Sequence, residues 1–159
     1  MFSKLTFVSL LITAFTLGGV DKMYTKEYGN NGVLLSEGWM LNDTKIDFWK
    51  HYDQDGVLLS EGHYENDKKS GYWHFYNSEG KVIKEGHYSN GLAENWWIFH
   101  DLATQTKQKI QYKNNQKNGF CLVYKGRRLK RVDKYVNDNL SGSWTDVSSF
   151  RRDNPDVSF

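Results

Sequence analysis

The word Gly-Val-Leu-Leu-Ser-Glu-Gly occurs twice, at Gly32–Gly38 and at Gly56–Gly62, with the copies starting 24 residues apart. Recurrence at a fixed period of this length is the signature of repeat architectures, and it constrains the fold more than any other feature of the chain. Carried along the sequence, the same register aligns Tyr28, Tyr52, Tyr76, His100 and Tyr124. Four residues on it aligns Gly32, Gly56, Gly80 and Thr104, and then Gly38, Gly62 and Gly86, each preceded by Glu, with Lys109-Ile110 as a degenerate fourth copy. Met40, Tyr64, Tyr88, Tyr112 and, after one deletion, Tyr135 form the next column. A second glycine-type column reads Asp47, Gly71, Asn95, Gly119 and Gly142, and two residues later come Trp49, Trp73, Trp97, Cys121 and Trp144. Five units result, the central ones clearest.

Each unit reads as two strands. Gly71–Tyr76 is dense in β-forming aromatics, Asn77–Gly80 is a turn with Gly where a left-handed residue is needed, and Lys81–Tyr88 is the return strand. Ser89–Asn95 reads as a longer polar connection to the next unit. Alternation places Trp73 and Phe75 on one face and Tyr72, His74 and Tyr76 on the other. No window after residue 20 has helical periodicity. The expected fold is therefore all-β: an elongated, single-layer antiparallel meander of about five 24-residue hairpins over residues 28–147. Its Trp column should form an apolar ridge, and the Gly of each Glu-Gly pair suggests that an aromatic lies across bare backbone. A single hairpin is marginal in water, so neighbouring units must stabilise one another.

The pattern Tyr-x3-Gly, Glu-Gly-x-Tyr, Gly-x-Trp resembles the MORN repeat family, in particular its bacterial variant, and is similar to the YwqK-type antitoxin proteins. The resemblance spans about residues 28–144. It implies a twisted β-sheet without an active site, used as a scaffold, a lipid-contacting module or a partner binder. The Gly, Tyr and Trp columns are the residues that carry it, and their implied role is structural. The fourth unit (Thr104, Lys109, Ile110) and the fifth, whose turn reads Lys125-Gly-Arg-Arg-Leu-Lys, depart from the pattern.

Ahead of the repeats, Lys4 is followed by an uncharged run of 16 residues, Leu5–Val20, shorter than the ~20 a membrane-crossing helix needs. Residues 1–20 fit a secretory signal, or an anchor if left uncleaved, so export to the periplasm, the cell surface or the medium is expected. Residues 21–27 read as a linker and 148–159 as a C-terminal tail. The net charge of +2 conceals a division: residues 21–100 carry 8 Lys against 13 acids, and residues 101–159 carry 12 Lys or Arg against 6 acids.

The search for chemistry is largely negative. His63 and His87 share one column, ~10 Å apart at one repeat per two strands, too far to share an ion whose ligands sit at ~2 Å. Glu37, Glu61 and Glu85 fall near the upper end of the ~6.5–9.5 Å carboxyl separation of inverting glycosidases, but an open sheet supplies no pocket to shift their pKa values. Cys121, the single cysteine, stands in the Trp column and reads as a small buried apolar residue. No catalytic, metal-binding or cofactor-binding residues are expected. The dense basic cluster Lys125, Arg127, Arg128, Lys130 and Arg131 suits either binding to an anionic surface or protection of a sheet edge. The sequence thus points to a non-enzymatic protein-interaction module, with a toxin or an envelope protein as partner and no nucleic acid. Membrane-surface (anionic lipid) binding and glycan binding on the aromatic rows are the alternatives.

Overall fold

The structure is a computed structural model that describes residues 22–157 and the backbone of Val8–Ala14. The expected signal or anchor segment otherwise lies outside the described residues. Twelve strands follow one another in an antiparallel meander whose order is that of the chain. They are β1 (Val8–Ala14), β2 (Lys22–Tyr28), β3 (Leu34–Leu41), β4 (Thr44–Tyr52), β5 (Leu58–Glu65), β6 (Lys68–Tyr76), β7 (Val82–Ser89), β8 (Leu92–Asp101), β9 (Thr106–Lys113), β10 (Gln116–Lys125), β11 (Arg128–Val136) and β12 (Asn139–Trp144), and a helix, α1 (Val147–Asp153), follows them. Two compact units divide it: the first takes the described residues to Val82 with Tyr88–Gly91, the second Ile83–His87 with the residues from Leu92 on.

Two kinds of turn alternate. At Gly32, Gly56 and Gly80 the chain takes φ of 72–79°, and the same pair of backbone bonds closes each turn, as in Asp53 N–H to Val57 O (2.9 Å) and Gly56 N–H to Asp53 O (3.1 Å). The Asp53 carboxylate and the Asn77 amide oxygen each accept two further backbone N–H groups of their turns. In the fourth unit, where Thr104 replaces the glycine, the left-handed residue is Gln105. The other connections are tighter than expected from sequence. Asn42-Asp43, Asn66-Asp67, Asn90-Gly91, Asn114-Asn115 and Asn137-Asp138 all have positive φ at both positions, which makes them two-residue type I′ turns. Ser89–Asn95 is thus a two-residue turn at Asn90-Gly91 followed at once by β8. The second turn residue also bonds to the preceding repeat: Asp67 donates its N–H to Lys45 O (3.1 Å) and accepts Lys45 N–H on its carboxylate (2.7 Å).

In the first unit, Gly38 lies opposite Trp49, and Gly62 lies between Trp49 and Trp73. A Cβ on Gly38 would stand 2.3 Å from Trp49 Cδ2, and one on Gly62 2.4 Å from Trp73 Cδ2. Each indole therefore lies directly on bare backbone, as expected from sequence. Trp49 and Trp73 are fully buried. Their ring edges are closed off by Tyr64, whose centroid is 5.1 Å from that of Trp73 and 6.1 Å from that of Trp49, and by His51. Lys45 and Lys69 cover the outer ring faces, with Nζ 3.9 and 4.2 Å from the centroids.

A bulge makes this packing work. Register shifts fall between Gly38 and Trp39 and between Gly62 and His63, where β4 and β6 carry extra residues at Asp47 and Gly71. Asp47, Gly71, Asn95 and Gly119 all have positive φ, which explains why this column accepts only Gly, Asn and Asp. Beside the bulge, the Trp49 indole N–H donates to Trp39 O (2.9 Å), and that of Trp73 to His63 O (3.0 Å). The repeat thus satisfies both a buried indole and a carbonyl at an irregular point of the ladder.

Where a linker is expected at residues 21–27, Lys22–Tyr28 is a full strand with Thr25 in the Trp column opposite Gly38. It carries the second half of a degenerate earlier repeat.

In the second unit Trp97 lies on Gly86 in the same way, at 2.3 Å from the constructed Cβ, and donates its indole N–H to His87 O (3.1 Å). The next pair is substituted on both sides. Ile110 takes the glycine position and Cys121 the tryptophan position opposite it, both buried. The larger side chain has changed strand, so the space stays filled. Trp144 departs from the column: the bulge in β12 is one residue shorter, so Ser143 pairs with Asp133 and Trp144 with Val132. Trp144 therefore belongs to the opposite face, in a core of Leu122, Val132 and Phe150. Phe150 comes from α1, which its seven residues are too few to reveal by periodicity. Asp146 caps the helix by accepting Ser149 N–H (2.8 Å), and Asn154 closes it by donating its N–H to Phe150 O (2.9 Å). The tail is thus a packed cap for this face.

Candidate interaction site

The chemically distinctive side chains of the repeats largely engage one another. Tyr52 and Tyr76 donate their hydroxyls to Glu37 (2.7 Å) and Glu61 (2.6 Å), which lie on the face opposite the tryptophans. In the second unit His100 replaces the tyrosine and meets Glu85 at 3.2 Å. The hydroxyls of Tyr52 and Tyr76 and the Tyr88 and Tyr112 rings thus belong to the packing of the array. Hydrogen bonds from Tyr52 and Lys26 hold the Glu37 carboxyl below its usual range against the opposing effect of burial. Glu37 and Glu61 thus act as acceptors for a tyrosine of the neighbouring strand.

His51 packs beside Trp49 and Trp73, and its Nε2 lies 3.2 Å from the Tyr64 hydroxyl. Burial, followed by the nearby Lys45 and Lys69 ammonium groups, pushes its pKa down to about 4, although Glu27 opposes the shift. At neutral pH the ring is uncharged. Burial, with the Asp133 charge, lifts the Cys121 thiol to about 11, so it is not a poised nucleophile. Among the described residues no three His, Cys, Asp or Glu side chains are gathered as a metal site would require.

The basic cluster is split by the structure. Lys125 donates to Thr104 O (2.6 Å), and Arg131 pairs with the buried Asp133 at 3.0 Å. Gly126 and Arg127 form a two-residue turn between paired Lys125 and Arg128. Lys130 sits at a register shift in β11, and neither it, Arg127 nor Arg128 has an ion-pair partner among the described residues. β11 is not the last strand, but β12 pairs with it only from Val132 onward. Arg128–Arg131 therefore runs beyond the end of β12, where the chain turns away into α1.

A groove of about 320 Å³ opens at this place. Leu129, Val132, Trp144, Phe150 and Val157 give it an apolar lining, and Lys130 and Arg151 bring cations to it. Leu129 is 42% exposed, and Trp144 is held by a bond from its indole N–H to Asp153 (2.9 Å). Arg151 was not legible in the sequence as part of the cluster, because only the helix brings it there. The one sequence signal was its position in an unassigned tail with a second arginine beside it. Among the described residues no helix is long and apolar enough to cross a membrane. Compared with known proteins, the chain matches no family model and no curated protein.

Proposed function

We propose that this chain is a MORN-like repeat protein that acts as a non-enzymatic protein-interaction module. Its partner is a protein such as a toxin or an envelope component, in an antitoxin- or immunity-type or scaffolding role outside the cytoplasm. The observation that carries this reading is the contrast between the repeats and the groove. Tyr52, Tyr76, Glu37 and Glu61 of the repeats bond to each other, whereas the groove beside β11 leaves apolar surface exposed and holds Lys130 and Arg151, which have no ion-pair partner among the described residues. Buried apolar anchors ringed by charge are the usual composition of a protein-binding surface.

Co-purification of the tagged full chain from its own host, with a photo-crosslinking residue in place of Leu129 and mass spectrometry of the adducts, tests it. A recurring protein crosslinked at that position supports the reading. Capture of no protein, with salt-sensitive sedimentation on anionic vesicles or retention on polysaccharide instead, replaces it with the lipid or glycan alternative.

A further inference from the structure

Resting on the reading of the chain as a protein binder, we infer that the groove beside β11 takes an extended, acidic–apolar peptide segment that adds as a short strand along Arg128–Arg131. Three independent features meet there. The first is a strand edge: β11 is paired with β10 along its length, but β12 ends its pairing at Val132↔Trp144. The backbone groups that would face a continued β12 therefore have no strand beside them among the described residues. Exposed edges of this kind are templates for an added strand, with main-chain bonds giving affinity and alternate side chains giving specificity.

The second feature is an apolar seat on one side of that edge. Alternation along β11 turns Leu129 and Val132 toward the face on which Trp144 and Phe150 pack, the two exceeding simple alternation by the extra residue at Lys130. A strand laid along the edge would project every second side chain into this seat, which suits Leu, Phe or Met. Four residues of edge, at ~3.3 Å each, fix the segment at about four or five residues.

The third feature is charge. Lys130 and Arg151 line the seat and Arg128 stands beside Leu129 on the other face of the edge, none of them with an ion-pair partner among the described residues, and the stretch from 101 on carries 12 basic residues against 6 acids. Asp146, the acid at the groove, is turned to the helix, where it accepts Ser149 N–H (2.8 Å). Positions of the added strand that come beside Lys130 and Arg151 at the ends of the groove, or beside Arg128 on the other face, would therefore be Asp or Glu. An acidic–apolar alternation satisfies seat and cations together, and a basic one would be repelled.

The test uses a fluorescein-labelled peptide of sequence Glu-Leu-Glu-Phe-Glu-Leu-Glu and the full chain, read by fluorescence anisotropy. Saturable binding is expected. It should weaken at least about tenfold for the double variant Lys130→Glu/Arg151→Glu, equivalent to ~1.4 kcal/mol, while both exposed substitutions leave the thermal midpoint unchanged. Peptides with N-methylated backbone at alternate positions should lose binding, which a purely electrostatic contact would not. Equal binding of a version with Lys in place of Glu, insensitivity to N-methylation, or binding to phosphatidylglycerol vesicles but not to the peptide would each overturn the inference. If the peptide fails but the host protein is still captured and crosslinked at Leu129, the interaction reading stands and strand addition falls. If neither occurs, both fall.

Discussion

Substituting Gly62 by Ala adds one methyl group in the place where the repeat has least room for it. The new Cβ would stand 2.4 Å from Trp73 Cδ2 and 2.5 Å from Cγ and Cε2, against an ordinary carbon contact of about 3.5–4.0 Å. The ring has no easy retreat. Tyr64 and His51 flank it, Lys69 covers it, and lifting it stretches the 3.0 Å indole bond to His63 O. Overpacking of this kind costs roughly 1–3 kcal/mol, and loss of the indole bond adds about 1 kcal/mol. Against this, Ala is better than Gly in a strand by roughly 0.5–1 kcal/mol. A net destabilisation of about 2–3 kcal/mol follows. Trp73→Ala should itself cost ~3–5 kcal/mol. In that background the methyl group meets empty space, so Gly62→Ala should become neutral or slightly stabilising. Urea melts of the four proteins, followed by circular dichroism, give the coupling directly, and it should be about 3 kcal/mol. If Gly62→Ala costs the same with and without the indole, the glycine is required for another reason and the packing argument is wrong.

Three further outcomes follow from the same geometry. Cys121→Trp alone should destabilise strongly, because Ile110 occupies the surface on which the ring must lie; Ile110→Gly added to it should recover most of the loss in the same melts. Stability should fall as pH drops from about 6.5 toward 4, because unfolding restores the ordinary His51 pKa and the unfolded chain then binds the extra proton. The effect is about 1–2 kcal/mol after allowance for solvent screening, and His51→Phe, the residue used at Phe75 and Phe99, should remove that part of the pH dependence from acid-titrated melts. Asp67→Ala should cost ~1–2 kcal/mol through its left-handed backbone and the lost carboxylate bond to Lys45 N–H, and Asp67→Asn distinctly less.

The columns were legible because every unit repeats the same local solution. Trp over Gly could be read from a glycine at a strand position where a side chain would otherwise fit, and the opposite faces of Trp73 and His74 from simple alternation. The type I′ turns were equally periodic: Asn followed by Asp, Asn or Gly recurs from Asn42 to Asn137, but the aromatic runs on either side drew the strand ends inward. Bulge geometry was harder. Asp47, Gly71 and Asn95 share one column with no shared side-chain chemistry, and only positive φ unites them. Trp144 illustrates the limit of column matching. One residue fewer in a bulge sends a side chain to the other face, and the deletion in the fifth unit does not reveal which bulge absorbs it. The groove depends on that change of face and on Phe150 from a seven-residue helix, so neither composition nor period could have shown it. The basic cluster was visible, but its division into engaged Lys125 and Arg131 and, among the described residues, unpaired Arg128 and Lys130 belongs to tertiary structure.

The stacking of tryptophan on glycine across neighbouring strands is the claim from which register, bulge and repeat stability all follow. Proton–carbon correlation NMR of glycine-labelled protein tests it most directly, because protons beneath an indole face are shifted strongly upfield by the ring current. The Hα signals of Gly38, Gly62 and Gly86 should stand well upfield of those of the turn glycines, and Trp73→Ala should return Gly62 alone to the ordinary range. Ordinary shifts at all three positions would contradict the account.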